Sequence, residues 1–190
     1  MDTKAAETEL GMLHVYTGDG RGKTTSAIGL ALRSAGAGFK VLIVQFDKGP
    51  DNSDHYSERK SLAQIKNIKL VVTGLDRMQH DGSFRFGVEN GDIEEAKRGL
   101  AEATKGLLGN DYKMIILDEI ITACSYSLIP EKDLGDIVGI WRKTGRRTEL
   151  VLTGRGAPSW LSDDADLVTE MRKIKHYFDK GVKARAGIEY

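Results

Sequence analysis

A glycine-rich segment near the N-terminus carries the residue types best suited to binding phosphates. It reads TGDGRGKTT over residues 17–25. Its glycines let the backbone curl so that successive N–H groups point toward an anion, and a helix starting behind it adds the positive end of its dipole. Lys23 brings a positive charge to the phosphates, and the Thr24 hydroxyl is placed to coordinate Mg²⁺. The segment therefore predicts a P-loop, a binding site for nucleotide phosphates.

The predicted loop is one residue shorter than the common P-loop. The common pattern has four residues between its first glycine and its Gly-Lys pair, whereas three separate Gly18 from Gly22 here. The phosphates could therefore lie in a different register, so the motif does not by itself predict cleavage of the γ-phosphate.

Two acidic residues form a second chemical pattern. Asp118 and Glu119 end an apolar, strand-like run, as the Walker B acid of P-loop proteins does. Mg²⁺ usually keeps several waters and takes one or two protein ligands. We expect a Mg²⁺ (or Mn²⁺) site formed by Thr24, Asp118 and Glu119. Either carboxylate could touch the ion directly, with the other acting through water.

Two arginines are candidates for contacts with the nucleotide. Arg155 lies in TGRG (153–156), just beyond a predicted strand, where it could reach a phosphate or the ribose. Arg33 lies late in the predicted first helix, where an arginine also stabilises the helix dipole. An ATP contact and a purely helical role are equally open for Arg33.

The segments that must position these residues alternate between strand and helix. Apolar, β-prone runs predict strands at 12–16, 40–46, 68–73, 112–117, 148–153 and 166–174. The spacing of apolar residues predicts helices at 23–35 and 89–108 and another that contains Trp141. This alternation favours an α/β fold, P-loop NTPase-like (RecA-like), with a mostly parallel sheet flanked by helices on both faces.

The predicted strand ends suggest where a ligand binds. Three strands end in Thr-Gly, at residues 17–18, 73–74 and 153–154. Parallel strands end at one edge, where ligands bind in open α/β sheets, so we expect Asp118 and Arg155 to meet the P-loop there. The irregular stretch 75–90 has the length of a binding loop. We expect residues 11–190 to form a single P-loop nucleotide-binding domain behind a flexible N-terminal arm, residues 1–10.

Composition narrows the class of protein. The 190 residues are 40% hydrophobic and include 28 basic and 28 acidic side chains. This balance argues against sequence-independent binding to nucleic acid or to an anionic membrane. Cys124 is the single cysteine, and no Cys/His pattern has the spacing of a zinc site. No stretch looks like a signal peptide or a transmembrane segment, so a cytoplasmic location is expected.

Six segments, in order along the chain, carry a family resemblance. They are TGDGRGKTT (17–25), VQFDKG (44–49), VVTG (71–74), ILDEI (116–120), LTGRG (152–156) and KHYFDKGVKARAGIEY (175–190). Through them the chain resembles the P-loop type of cob(I)alamin (corrinoid) adenosyltransferase over residues 12–190. General P-loop ATPases lack this combination of a short P-loop, TGRG and the GVKARAGIEY ending.

The resemblance implies a reaction, its partners and its site. Cobalt(I) of a corrinoid (cobalamin, cobinamide or cobyrinic acid a,c-diamide) attacks C5′ of ATP, and triphosphate leaves. A reduced flavoprotein is implied as electron donor, and a homodimer as the assembly. The implied ATP contacts are Gly18, Asp19, Gly20, Arg21, Gly22, Lys23, Thr24, Thr25, Arg33 and Arg155. The implied catalytic residues are Lys23, Thr24 and Glu119, and the implied metal ligands are Thr24, Asp118 and Glu119.

One segment departs from the family pattern. Family members often have aromatic residues after the Thr-Gly of the third strand, where they are thought to press on the corrinoid's lower face. Residues 74–78 read GLDRM here. Leu75 could still act as an apolar wedge, but Arg77 is not equivalent to a tryptophan. Phe84 or Phe86 could substitute, or could simply anchor the loop on the core.

Two other functions stay open from the sequence. An ordinary P-loop ATPase or kinase would release ADP, and the shortened loop argues against it. An ATP-sensing regulatory protein would bind ATP without turnover. The acid pair Asp118-Glu119 argues only weakly against a sensor, since a sensor can also hold magnesium.

Overall fold

The computed structural model describes residues 10–50, 55–77 and 85–190. The strands in these residues are β1 (Leu13–Thr17), β2 (Val41–Gln45), β3 (Ile68–Val72), β4 (Met114–Asp118), β5 (Glu149–Thr153) and β6 (Leu167–Glu170). They form one sheet in the order β3-β2-β4-β5-β1-β6, and every pairing is parallel. The predicted parallel α/β sheet is confirmed. Apart from Leu10, the predicted N-terminal arm lies outside the described residues.

The helices include the three that were predicted. The described residues contain α1 (Lys23–Gly36), α2 (Glu58–Leu62), α3 (Asn90–Leu108), α4 (Ile120–Ser125), α5 (Glu131–Lys143) and α6 (Ser159–Asp164). A 3₁₀ turn follows at Tyr177–Lys180. Sequence reasoning missed α2, α4 and α6 because five or six residues make fewer than two turns, too few for an apolar period to repeat.

Helices cover both faces of the sheet, as predicted. Alternate residues of each central strand point to opposite faces, so Leu42 and Val44 pack beneath α3–α6, whereas Val41 and Ile43 pack beneath α1 and α2. The sheet-facing side of α1 is a row of buried alanines, Ala27, Ala31 and Ala35. Small side chains at this spacing let α1 lie close to the sheet. Its first turn is thereby held behind the end of β1.

The sixth strand is shorter than predicted, and the expectation that it reaches residue 174 is wrong. It ends at Glu170 because the next residue turns beneath the P-loop. The Met171 N–H donates to the Thr17 carbonyl at 2.8 Å, and the Met171 carbonyl accepts from the Gly20 N–H at 2.6 Å. A Cβ at Gly18, whose φ is 96°, would lie 2.4 Å from the same carbonyl oxygen. Glycine at position 18 is therefore required by its backbone angle and by this close approach.

The C-terminal segment, residues 172–190, packs against the P-loop. Arg21 Nη1 donates to the Tyr177 hydroxyl at 2.6 Å and lies 3.4 Å from the Glu189 carboxylate. The Tyr190 ring stacks on His55, with 4.7 Å between ring centres. The segment thus joins the P-loop to the chain that precedes α2, a contact that the charged character of this region did not predict.

The Glu189 carboxylate gives the C-terminal segment a testable pH dependence. Hydrogen bonds from Arg185 and Tyr177 lower the pKa of Glu189 from 4.5 to about 2. Because the folded pKa is depressed, the stabilisation is complete above the unfolded value and is lost as the pH falls from 4.5 toward 2. An NMR titration of the folded protein should therefore shift the Arg185 amide, a donor to Glu189 at 2.8 Å, with a midpoint near pH 2.

Glu189→Gln should remove most of that transition and increase hydrogen exchange in residues 177–190 at neutral pH. Glu94→Gln, which changes an exposed pair with Lys97, is the matched control and should leave both measurements as in the parent. A Glu189→Gln variant with the parent's titration and exchange would contradict the assignment.

Trp141 should contribute strongly to the stability of the α5 side of the core. Its side chain is buried, its indole N–H donates to the Thr148 carbonyl at 2.7 Å, and the Arg146 guanidinium lies 4.7 Å from the ring centre. Trp141→Ala should lower the free energy of unfolding by about 3–5 kcal/mol, measured by urea denaturation with circular dichroism. Phe86→Ala, at an exposed aromatic residue, is the control; similar losses in both variants would contradict this role.

Candidate active site

A cavity of roughly 1180 Å³ opens at the edge where the parallel strands end. Its lining includes residues 19–25 of the P-loop, Glu119, Arg155 and part of the C-terminal segment. The strands bring these residues together because Thr17, Asp118 and Thr153 are the last residues of β1, β4 and β5. The expected meeting of the P-loop, the acid pair and Arg155 at this edge is confirmed.

The N-terminus of α1 faces this cavity. The helix begins at Lys23, and Gly22, with φ of 121°, takes the capping position. No side chain in the described residues caps this helix start, so N–H groups of its first turn remain available as donors. Together with the helix dipole they favour an anion here. Thr24 and Thr25, in this first turn, both line the cavity.

Lys23 lies inside the loop that it follows. Its Nζ donates to the carbonyls of Gly18 at 2.7 Å and Gly20 at 2.9 Å, and the residue is 5% exposed. Burial lowers the pKa of Lys23, and the nearby Arg155 guanidinium lowers it further. An anion in the cavity would oppose both effects, so this ammonium is suited to a phosphate partner.

The other charged P-loop residues face the C-terminal segment. Asp19 Oδ1 accepts from the Lys173 backbone N–H at 2.9 Å, and this hydrogen bond lowers the pKa of Asp19. Arg21 is bonded to Tyr177 and lies beside Glu189, as described above. Both residues line the cavity. In this structure their polar groups hold the segment that closes one side of it.

The two arginines predicted to contact ATP lie in different places. Arg155 lines the cavity, and its backbone N–H donates to the Thr122 hydroxyl at 2.7 Å. Arg33 lies in the last turn of α1, roughly 15 Å along the helix axis from Lys23. Arg33 is outside the cavity lining. It lies near Tyr16, where burial raises the pKa of the phenol and the Arg33 charge partly opposes that rise. The structure thus brings Arg155, and not Arg33, to the P-loop.

Asp118 is the most enclosed charged group of the site. It is 1% exposed, and its Oδ1 accepts from the hydroxyls of Thr24 at 2.9 Å and Thr153 at 2.7 Å. Lys48 Nζ donates to its Oδ2 at 2.5 Å. Burial opposes ionisation of Asp118, but the charge of Lys48 and these hydrogen bonds outweigh burial and lower its pKa. Asp118 is therefore a buried carboxylate behind Thr24 and Lys48, which line the cavity.

Glu119 is the more open carboxylate. It has a left-handed backbone, with φ of 64°, which is uncommon for a residue with a side chain and often marks functional sites. Its backbone N–H donates to the Thr153 hydroxyl at 2.9 Å, and its Oε2 accepts from the Thr122 hydroxyl at 2.5 Å. The turn directs Glu119 into the cavity lining, one residue beyond Asp118.

The donor set of Thr24, Asp118 and Glu119 fits magnesium. All three offer oxygen, and Mg²⁺ is commonly held by one or two carboxylates together with substrate phosphates. In the part of the chain that the structure describes, no group of three or more His, Cys, Asp or Glu side chains could form a metal site by itself. A metal here would thus be shared with a bound nucleotide.

Sequence reasoning missed Lys48 and the residues that hold it. Lys48 Nζ also donates to the Thr24 hydroxyl at 3.1 Å. Arg59, in α2, is buried and donates to the Lys48 carbonyl at 2.6 Å and to the Gln45 side chain at 3.1 Å. The sequence did hold one signal that could have identified Lys48, namely its position just after the end of β2. Lys48 follows this buried strand by three residues and therefore had to lie at the same edge.

A second cavity, of roughly 580 Å³, adjoins the first. Lys48, Tyr56 and Glu119 line both cavities. Apolar and aromatic side chains of the second cavity include Phe46 and Tyr126. It therefore combines an apolar lining with a polar boundary toward the P-loop, as small-molecule sites commonly do.

Arg77, which follows the third strand, is held in place by several hydrogen bonds. Arg77 Nε donates to both Asp47 oxygens at 2.9 and 3.1 Å, and Nη1 donates to the Gly87 carbonyl at 2.7 Å. The Tyr126 hydroxyl donates to Asp47 at 2.5 Å; burial and this bond raise the pKa of Tyr126. Arg77 thus lines the second cavity as part of a polar network.

The apolar candidates near Arg77 have different surroundings. Phe86 lines the second cavity and is 84% exposed, so it does not anchor this loop on the core. Leu75 is outside that lining and packs beside Gly91 at the start of α3. Phe84 lies outside the described residues. Phe86 is therefore an exposed apolar ring at this cavity, whereas the other phenylalanine of the lining, Phe46, is buried in the core.

Comparison with known proteins identifies relatives over nearly the whole chain. Residues 9–190 match the family model described as ATP:corrinoid adenosyltransferase BtuR/CobO/CobP. The chain is 32% identical to the corrinoid adenosyltransferase of Escherichia coli K12 over 189 residues, which are 97% of this chain and 88% of that protein. It is 33% identical to the corrinoid adenosyltransferase CobA of Salmonella typhimurium LT2, with the same coverage. The chain belongs to the ATP:corrinoid adenosyltransferase family.

Proposed function

We propose that this protein transfers the 5′-deoxyadenosyl group of ATP to the cobalt(I) of a corrinoid and releases triphosphate. Cobalamin, cobinamide and cobyrinic acid a,c-diamide are the candidate corrinoids. The observation that carries the proposal is the P-loop cavity that shares Lys48, Tyr56 and Glu119 with a second, more apolar cavity. One cavity suits a triphosphate, and the other offers a place beside it for part of a second substrate.

The chemistry demands positioning and charge stabilisation more than proton transfer. Cobalt(I) is a strong nucleophile and needs no general base. The protein must hold C5′ in line and stabilise the charge that builds up on the departing triphosphate. Lys23, the first-turn N–H groups of α1 and Arg155 are the groups that do so here. Arg33 stays a predicted ATP contact, and ATP would have to extend beyond the described cavity to reach it.

Thr24, Glu119 and Asp118 would hold Mg²⁺ or Mn²⁺, which supplies positive charge to the phosphate oxygens when bound. The exposure of Glu119 to the cavity favours it as the direct carboxylate ligand. Asp118, buried behind the lining and bonded to Thr24, would orient the threonine hydroxyl. Thr24 and Glu119 therefore support the reaction by fixing the triphosphate through the metal, while the Lys23 ammonium stabilises the negative charge of the triphosphate.

The corrinoid would approach from the second cavity. Phe86 could take the part that aromatic residues play elsewhere in the family, and Arg77 would give this face a polar network in place of an aromatic ring. A reduced flavoprotein as electron donor, a homodimer and a cytoplasmic location stay predictions from the resemblance and composition. Within residues 10–50, 55–77 and 85–190, no helix has the length and apolarity needed to cross a bilayer.

The phosphate product distinguishes this reaction from the alternatives. The protein incubated with Mg-ATP and a chemically reduced corrinoid should yield adenosylcorrinoid and triphosphate in equal amounts, quantified by phosphorus NMR and the corrinoid's absorbance. Omission of the corrinoid is the control and should abolish triphosphate formation. ADP as the product would indicate an ATPase or kinase, and binding without turnover would indicate a sensor.

Lys23→Ala should reduce turnover by about 100-fold or more, because it removes a charge placed for the developing triphosphate. The fold should be retained, since the Lys23 ammonium donates to two carbonyls of the P-loop itself, Gly18 and Gly20, and not to the core of the sheet. Circular dichroism and steady-state kinetics test this expectation. Lys132→Ala, at an exposed lysine of α5, is the matched control. Near-normal turnover of Lys23→Ala would refute the phosphate role.

A further inference from the structure

The buried ammonium of Lys48 is hydrogen-bonded to two of the oxygens that are assigned to the metal, those of Thr24 and Asp118. Lys48 Nζ is 2.5 Å from Asp118 Oδ2 and 3.1 Å from the Thr24 hydroxyl, which is itself 2.9 Å from the other Asp118 oxygen. The Lys48 side chain is 11% exposed. A single positive charge therefore bridges the threonine and the carboxylate in the way that a metal ion bridges such a pair in P-loop proteins.

The backbone of Lys48 is held firmly. Its carbonyl accepts from Arg59 Nη2 at 2.6 Å, and its N–H donates to the Thr73 carbonyl at 3.0 Å. Arg59 also lies over the Tyr56 ring, 4.3 Å from its centre. Movement of the ammonium would thus come from the rotatable bonds of the lysine side chain and would leave the backbone in place.

A divalent ion and this ammonium compete for one carboxylate. Asp118 is enclosed, so it needs a cation beside it to stay charged at low cost. Two cations crowded on the same buried carboxylate would repel each other strongly in this environment. When one arrives, the other has to leave. Lys48 also lines the phosphate cavity, so a displaced ammonium stays within reach of a bound anion.

We propose that Lys48 is an internal counter-ion that keeps Thr24 and Asp118 in position without metal and moves onto the triphosphate when the metal binds. The lysine side chain then has two roles. Without metal its ammonium takes the place of the ion, and with metal bound it stabilises the negative charge of the leaving triphosphate. The proposal rests on the proposed magnesium site. It assigns a role to a residue that neither the P-loop motif nor the acid pair includes.

Binding of Mn²⁺ in the absence of nucleotide tests the placeholder role. Lys48→Met and Lys48→Gln remove the competing charge, so both should bind Mn²⁺ at least about tenfold more tightly than the parent, measured from the free-ion signal in electron paramagnetic resonance. Lys48→Arg keeps the charge and should bind Mn²⁺ as weakly as the parent. Lys132→Met removes an exposed ammonium and is the matched control. Thermal melting identifies variants that fail to fold.

Kinetics test the second role. Lys48→Met should lower kcat for adenosyl transfer by about 10–100-fold, with a smaller effect for Lys48→Arg. Unchanged or weaker Mn²⁺ binding in folded Lys48→Met and Lys48→Gln would overturn the placeholder role, and an unchanged kcat would overturn the leaving-group role. These results are separable from the proposed function itself, because release of ADP by the parent would refute the transferase reaction whatever the Mn²⁺ affinities.

Discussion

The carboxylate of Asp118 is buried at the end of the central strand β4, where a charge is costly unless it is paired and hydrogen-bonded. Its partners come from four other parts of the chain: Thr24 from α1, Thr153 from β5, Gln45 from β2 and Lys48 from the segment after β2. These bonds tie the first turn of α1 to the neighbouring strands. The geometry of the P-loop, and with it the proposed triphosphate and metal site, depends on this one buried charge being satisfied.

A second constraint acts from the other side of the P-loop. The end of β6 and the C-terminal segment press against its backbone, with Met171 bonded to Gly20 and Arg21 bonded to Tyr177. Only glycine fits at position 18 under these contacts. The short loop is thus shaped by a segment that lies about 150 residues later in the sequence.

The proposed chemistry follows from how the two cavities are joined. Lys48, Tyr56 and Glu119 line both, so charge that stabilises a triphosphate lies next to a surface suited to a larger, less polar substrate. Arg77 adds a feature of this chain. Its bonds to Asp47 and Gly87 hold a polar group in the lining of the second cavity, while Phe86 supplies an exposed ring in the same lining.

The local pattern of residues determined the phosphate loop, the succession of strands and long helices along the chain, and the acid pair at the end of β4, because each depends on neighbours within a few positions. It also placed Arg155 at the strand edge. Tertiary structure decided the rest. Lys48 became part of the site through Asp118, 70 residues away, the short helices formed by packing, and β6 stopped at Glu170 because Met171 bonds the P-loop. Contacts between such distant residues leave no periodic trace in a single sequence, so only the folded chain reveals them.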